Sequence, residues 1–132
     1  MITEDYVSYE TSKLLKEKGF DEATYPYYLP NASFYLSPMT VDNKNLYAQG
    51  CVSAPTLQMA MKWLREVHHY YIQVMLDGWA CGGHTGYYVV IQKTDSDFEM
   101  MLQDVRERVF YDTYEEAVED AVKYLLEEFV KD

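Results

Sequence analysis

Cys81 and His84 are the residues whose types and spacing come closest to a chemical site. They stand in the order Cys-Gly-Gly-His, which suits two metal ligands or a thiol beside its base. A structural zinc site needs about four Cys or His ligands, and only Cys51, His68 and His69 remain to complete one. A nucleophilic cysteine also needs a group that orients its base. The sequence favours a glycine-rich hairpin tip with an incidental thiol and imidazole, and a thiol enzyme using Cys81 is an alternative.

Carboxylate pairs along the last twenty or so residues are a second candidate for chemistry. The pairs are Glu115/Glu116, Glu119/Asp120 and Glu127/Glu128. Two carboxylates could act as the acid and base of a glycosidase. On an amphipathic helix such pairs are typical of a solvated face, which is the interpretation we favour. We therefore expect no catalytic residue, no cofactor and no metal.

Tyrosine is abundant, at 14 of 132 residues. It supplies a large, rigid contact area with a polar tip and is enriched at interfaces. The tyrosines between residues 25 and 47 are too many for all of them to lie in the core of a small domain. They either cover a small sheet or form a binding or oligomer surface. The candidate partner-binding residues are Trp63, Trp79, Tyr27, Tyr28 and Tyr35.

The net charge of −11 is unevenly distributed along the chain. Residues 95–132 hold 13 acidic and 4 basic residues, whereas residues 55–94 hold 2 acidic and 3 basic residues. Direct binding to nucleic acid is not expected, because it requires a basic stripe that faces the phosphates. An acidic surface serves solubility or attracts a basic partner. An acidic decoy that inhibits a basic nucleic-acid-binding protein is therefore an alternative function.

Length and composition indicate a single domain over residues 1–132. No run approaches the roughly 18 apolar residues of a membrane span. The first ten residues lack the basic and apolar regions of a secretory signal. Cys51 and Cys81 form no disulfide framework and would be free thiols in a reducing compartment. We expect a cytoplasmic protein that has no contact with membranes.

Two helices are predicted from their ends and their periodicity. Residues 8–18 begin at Ser8, a suitable N-cap, and stop before Gly19, which can adopt the left-handed conformation. Residues 113–132 begin at Thr113, with Glu116 three residues later as in a capping box. Apolar residues then recur at three- and four-residue spacing, so this segment is predicted to be a core helix.

Another helix is predicted between these two. Ser53 is expected to cap it and Pro55 to lie in its first turn. It is expected to end near His68 and His69. Its predicted core stripe consists of Leu57, Ala60, Met61, Leu64 and Val67, with Met59 and Trp63 on a neighbouring ridge.

The remaining pattern indicates antiparallel strands. Residues 70–76 and 87–92 are predicted to form a hairpin, with Tyr70, Ile72, Val74 and Leu76 on its core face. Weaker strands are predicted at residues 33–36 and 46–49. After residue 96 we expect a short helical turn, followed by a strand at about residues 105–111. The expected fold is α+β, with three helices packed on one face of an antiparallel sheet of about three to five strands.

Parts of the chain resemble a known group of proteins. The segments that carry the resemblance are residues 7–11, 14–20, 54–58 and 62–68 and the sequence TYEEAVEDAVKYLLE at residues 113–127. They resemble small uncharacterised proteins of Bacteroides-type bacteria and of their phages or mobile elements. The resemblance implies a cytoplasmic, phage-related accessory protein and transfers no functional residue. We expect a non-enzymatic protein-interaction module with an unknown protein partner, for which a homo-oligomer would fit.

Overall fold

The computed structural model of the protein describes residues 2–46, 50–77, 86–106 and 110–131. These residues form three α-helices and six β-strands. In chain order they are α1 (Tyr9–Glu17), β1 (Thr24–Tyr28), β2 (Phe34–Val41), β3 (Val52–Ser53), α2 (Leu57–His68), β4 (Tyr70–Asp77), β5 (Gly86–Lys93), β6 (Glu99–Met101) and α3 (Tyr114–Glu128). The predicted α+β class is confirmed. The strands belong to two antiparallel sheets, ordered β2–β1–β3 and β4–β5–β6, rather than to one.

Both ends of α1 and the start of α3 are set by the predicted local signals, whereas α3 ends at Glu128, four residues before the end of the predicted segment. The hydroxyl of Ser8 accepts a hydrogen bond from the backbone N–H of Thr11 at 3.2 Å. Thr113 caps α3 in the same way, with 3.1 Å from its hydroxyl to the N–H of Glu116. After α1, Gly19 adopts a φ of 95°. Both helices therefore begin, and α1 also ends, where short-range chemistry satisfies the free backbone groups of the helix.

Helix α2 begins three residues later than predicted, because a strand occupies the expected cap. Thr56 is the N-cap, and its side chain accepts from the N–H of Met59. Ser53 lies in β3, and the N–H of Ala54 donates to the carbonyl of Pro26 at 3.0 Å. The chain stays extended while it pairs with β1, so it cannot turn into a helix at Ser53.

The buried face of α2 is rotated relative to the prediction. Leu57, Ala60 and Leu64 are buried as expected. Val67, predicted to lie in the core, is 51% exposed, whereas Trp63 is buried. Phe20, which follows α1, packs on Trp63 with 5.5 Å between the ring centroids, and this long-range contact selects the face that is buried.

The second sheet supports the largest part of the core. Tyr70 and Ile72 are buried on its inner face, as predicted, where α2 and α3 pack, and Val74 is partly buried against the same core. Leu76, predicted on this face, is 61% exposed, so that part of the prediction is wrong.

The third strand of this second sheet is β6, which the sequence did not predict and which precedes a 3₁₀ turn at Leu102–Asp104. The chain reverses direction within a few residues of the end of β5, because the N–H of Lys93 donates to the carbonyl of Phe98 at 3.1 Å. Of the strand predicted at residues 105–111, residues 107–109 lie outside the described residues, and Tyr111 pairs with Tyr87 in an isolated antiparallel bridge.

The first sheet contains a strand that the sequence did not predict. Pro26 argues against a central strand, yet β1 lies between β2 and β3. Of the two weak strands, residues 33–36 fall largely in β2, whereas Leu46 lies outside the strands and residues 47–49 are outside the described residues. The hairpin turn of β1 and β2 includes Ala32, which has a φ of 68°.

Candidate protein-interaction surface

The first sheet has no charged side chain, although charged residues make up 25% of the chain. No charge occurs between Glu22 and Asp42. Proteins usually protect the edge strands of sheets with charged side chains, which discourage pairing with other chains. That protection is missing here, in a protein that is otherwise strongly acidic.

Strand β2 is exposed along its length. The exposed fractions are 46% for Phe34, 48% for Tyr35, 61% for Leu36 and 74% for Met39. Contiguous exposed apolar side chains mark interaction sites more often than single ones do. The exposed side chains of β2 therefore form the strongest candidate for a functional surface in the described part of the chain.

Tyrosines form the outer face of this sheet. Tyr27 on β1 lies opposite Tyr35 on β2, and their ring centroids are 5.2 Å apart. Tyr25 occupies the same face of β1, because side chains alternate along a strand, and it is 54% exposed. Two of the predicted partner-binding tyrosines, Tyr27 and Tyr35, are thus brought together on an exposed surface.

Tyr28 lies on the opposite face and has a structural role. Its hydroxyl donates to the backbone carbonyl of Val7 at 2.6 Å, and its ring packs against Tyr9 and Phe34. Burial, and secondarily the charge of Glu119, raises the pKa of the Tyr28 phenol. Tyr28 anchors the sheet to the N-terminal end of α1.

The backbone of β2 exposes unpaired hydrogen-bonding groups. The N–H of Leu29 donates to the carbonyl of Ser33 at 2.9 Å, so this facing pair is hydrogen-bonded. Bonded and non-bonded pairs alternate along an antiparallel ladder, so the N–H and C=O groups of Phe34 and Leu36 point away from β1. Within the described residues β2 pairs with β1 alone. We call these outward groups of Phe34 and Leu36 the β2 edge.

The same alternation explains why Pro26 is tolerated in a central strand. Pro26 lies opposite Leu36, in a non-bonded pair, so its missing N–H removes nothing from the ladder with β2. Its carbonyl points to the other side and accepts from Ala54. Pro26 therefore leaves the hydrogen-bond ladder between β1 and β2 intact.

An irregular segment ends the regular part of β2. Leu36 faces Pro26 and Val41 faces Thr24, so residues 37–40 all lie opposite Tyr25. Bulges of this kind and proline, here Pro38, both limit further pairing of a strand. The part of β2 that could accept another strand therefore ends at Leu36.

Trp63, a third predicted partner-binding residue, lies mainly in the core. It is 7% exposed and contacts Phe20 and His68, with 4.7 Å between its ring centroid and that of His68. Burial, and secondarily the charge of His69, lowers the pKa of His68. The exposed margin of Trp63 lines a shallow groove of about 360 Å³ with Met59, Val67 and neighbouring residues.

Two residues predicted for thiol or metal chemistry, Cys81 and His84, are not placed by this structure, and neither is Trp79, which was predicted to bind a partner. All three lie outside the described residues, so their roles stay predictions. Cys51 is buried. In the described ranges no group of three or more His, Cys, Asp or Glu side chains could hold a metal ion.

Two carboxylates of α3, predicted to be solvated, bind other parts of the chain instead. Glu119 accepts from the N–H of Ser8 at 3.1 Å and from the hydroxyl of Thr11 at 2.6 Å. Asp120 accepts from the guanidinium of Arg106 and from the hydroxyl of Tyr111. The other four paired acids are exposed as predicted, namely Glu115, Glu116, Glu127 and Glu128.

We expect Glu119→Ala to lower the free energy of unfolding by about 2 kcal/mol, because it removes a charged acceptor from a buried hydroxyl and from the start of α1. Glu119→Gln keeps the oxygen and should lose about 1 kcal/mol or less. Urea denaturation followed by circular dichroism measures both. Glu128→Ala, on the exposed side of α3, is the control and should change stability by about 0.5 kcal/mol at most. Equal effects at positions 119 and 128 would contradict the assignment.

Comparison with protein-family models, with curated proteins and with solved structures found no match to this chain. None of the helices in the described ranges has the length and apolar character needed to cross a membrane. The functional proposal below is therefore based on the exposed first sheet.

Phe34 and Leu36 are the functional candidates that sequence reasoning missed. They occur in a segment interrupted by Pro30 and Pro38, which obscures the strand pattern. A signal was nevertheless present, because residues 23–41 contain no charge in a strongly acidic chain. The absence of charged residues does not by itself show whether a strand is buried or exposed.

Proposed function

We propose that this protein is a non-enzymatic interaction module that binds a protein partner through its first sheet. The observation that carries the proposal is the uncharged, exposed strand β2 with an open backbone edge. An extended segment of a partner can add to such an edge, where backbone hydrogen bonds supply affinity and side-chain contacts supply specificity. The outer tyrosines Tyr25, Tyr27 and Tyr35 would contribute rigid contact area beside the added strand.

The biological setting of the proposal rests on the resemblance of the helical segments. It supports an accessory protein of a Bacteroides-type bacterium, or of its phages or mobile elements, that acts in the cytoplasm. The resembling segments fall in α1, α2 and α3, whereas the first sheet lies mostly outside them.

Site-specific photocrosslinking tests the proposal in the cell that makes the protein naturally. A benzophenone side chain is placed at position 35 on β2 or, as the control, at Tyr71, which is 40% exposed on β4 of the second sheet. We expect a discrete adduct from position 35 and none from position 71. Mass spectrometry of the adduct then identifies the partner. No adduct at position 35, or the same adduct at both positions, would overturn the proposal.

A further inference from the structure

We infer that the partner at the β2 edge is a second copy of this chain, paired with the first through antiparallel β2 strands. The inference rests on the proposed function and names the occupant of that surface. It requires that two acidic copies can approach each other, that their backbones are complementary and that assembly stops at two copies.

Charge selects the face through which two copies can meet. Each copy carries a net charge of −11, so contact through most faces would bring like charges together. The first sheet has no charged side chain, and the opposite margin of that sheet is occupied, since Asn43 accepts from the N–H of Ser53 at 3.0 Å. The open margin at β2 is therefore a place, within the described residues, where self-association meets little electrostatic opposition.

The backbone at β2 is complementary to itself. A two-fold axis through Tyr35 would place Phe34 of each copy opposite Leu36 of the other. Both residues direct their N–H and C=O groups outward, so each Phe34 would exchange both backbone hydrogen bonds with the facing Leu36. The outward N–H and C=O groups of β2 that precede residues 37–40 would then all be hydrogen-bonded.

The positions of the side chains on the two faces of the sheet are compatible with this register. The two copies of Tyr35 would face each other in a non-bonded pair, in which cross-strand side chains lie closest. Each is already flanked by Tyr27, with 5.2 Å between ring centroids. The outer faces of the two sheets would join into one tyrosine surface, while Phe34 and Leu36, both exposed in the single copy, would cover each other on the opposite face.

The assembly closes at two copies. A two-fold contact uses the same surface on both partners and leaves no second copy of that surface free. Residues 37–40, with Pro38 among them, interrupt the ladder directly after Leu36. The interruption prevents β2 from extending its pairing along the strand, so a dimer rather than a fibre is expected.

Sedimentation velocity of the full chain tests the inference at about 10 to 500 µM, a range that suits a small interface. Wild-type protein should sediment increasingly as a dimer over this range. Tyr35→Lys puts like charges opposite each other at the two-fold axis and should weaken dimerisation at least about tenfold. Tyr25→Lys is the matched control, because it places the same charge on the same face one strand farther from the edge. It should change dimerisation by less than about threefold.

A mixture of Tyr35→Lys and Tyr35→Glu proteins supplies a test that misfolding cannot imitate. Each variant alone should be monomeric, and the mixture should recover a heterodimer because opposite charges now face each other. A wild-type monomer over the whole range would overturn the inference, as would equal loss of dimer in the position 25 and 35 variants. A monomer that still crosslinks from position 35 to another protein refutes only the second copy. A monomer with no adduct refutes the proposed function as well.

Discussion

Trp63→Ala is expected to lower the free energy of unfolding by about 3 to 5 kcal/mol, the cost of removing a large aromatic side chain from a core. Trp63 is 7% exposed and joins α2 to the end of α1 through Phe20. It also packs edge-on against His68. Its removal leaves a cavity between α2 and Phe20, which the surrounding backbone can fill only in part. Urea denaturation followed by the helical circular dichroism signal measures the loss without relying on tryptophan fluorescence.

Val67→Ala is the control for this substitution. Val67 lies one helical turn farther along α2 and is 51% exposed, so its truncation should cost about 1 kcal/mol or less. The sequence pattern predicted the reverse, with Val67 in the core stripe and Trp63 beside it. Equal losses at the two positions would contradict the rotation of α2 described above.

Asp120→Ala should destabilise the protein by about 2 to 3 kcal/mol, the second largest effect that we expect. Asp120 accepts from two nitrogens of Arg106, each at 3.0 Å, and from the hydroxyl of the fully buried Tyr111. The guanidinium also lies over the ring of Tyr124, 5.0 Å from its centroid. The substitution therefore removes the shared acceptor of a planar cation and a buried phenol, and thermal or urea unfolding measures the cost.

A double-mutant cycle separates this contact from general damage to α3. Tyr111→Phe removes only the hydroxyl, so its effect and that of Asp120→Ala should fall short of additivity by about 0.5 kcal/mol or more. Glu128→Ala, on the exposed side of the same helix, should be nearly neutral. Strict additivity of the first two substitutions would show that the hydroxyl and the carboxylate contribute independently.

The parts of the fold that the sequence predicted well are those in which neighbouring residues decide the structure. The caps at Ser8 and Thr113 act within three residues, and the hairpin of β4 and β5 joins two strands rich in Tyr, Ile and Val that follow each other in the chain. The acids Glu119 and Asp120 show the limit of this reasoning. Their spacing on α3 is that of a solvated face, but α1 and Arg106 approach them from distant parts of the chain.

The candidate site was only partly predictable for a related reason. Tyrosine content and the tyrosines at positions 27 and 35 indicated a surface, but the pattern assigned Tyr28 and Trp63 to the same role. Both are held by long-range contacts, Tyr28 to Val7 and Trp63 to Phe20. Whether an aromatic side chain is covered depends on what packs on it, and residue type does not contain that information.

The sequence by itself determined the three helices, the central hairpin and the concentration of negative charge in the last third of the chain. Each follows from local spacing, capping or composition. Only the tertiary structure decided that Ser53 belongs to a strand, that Pro26 lies in the middle of a sheet and that β2 is left at its edge. Strand order is set by pairing between residues far apart in the chain, and it determines which backbone groups remain open to a partner.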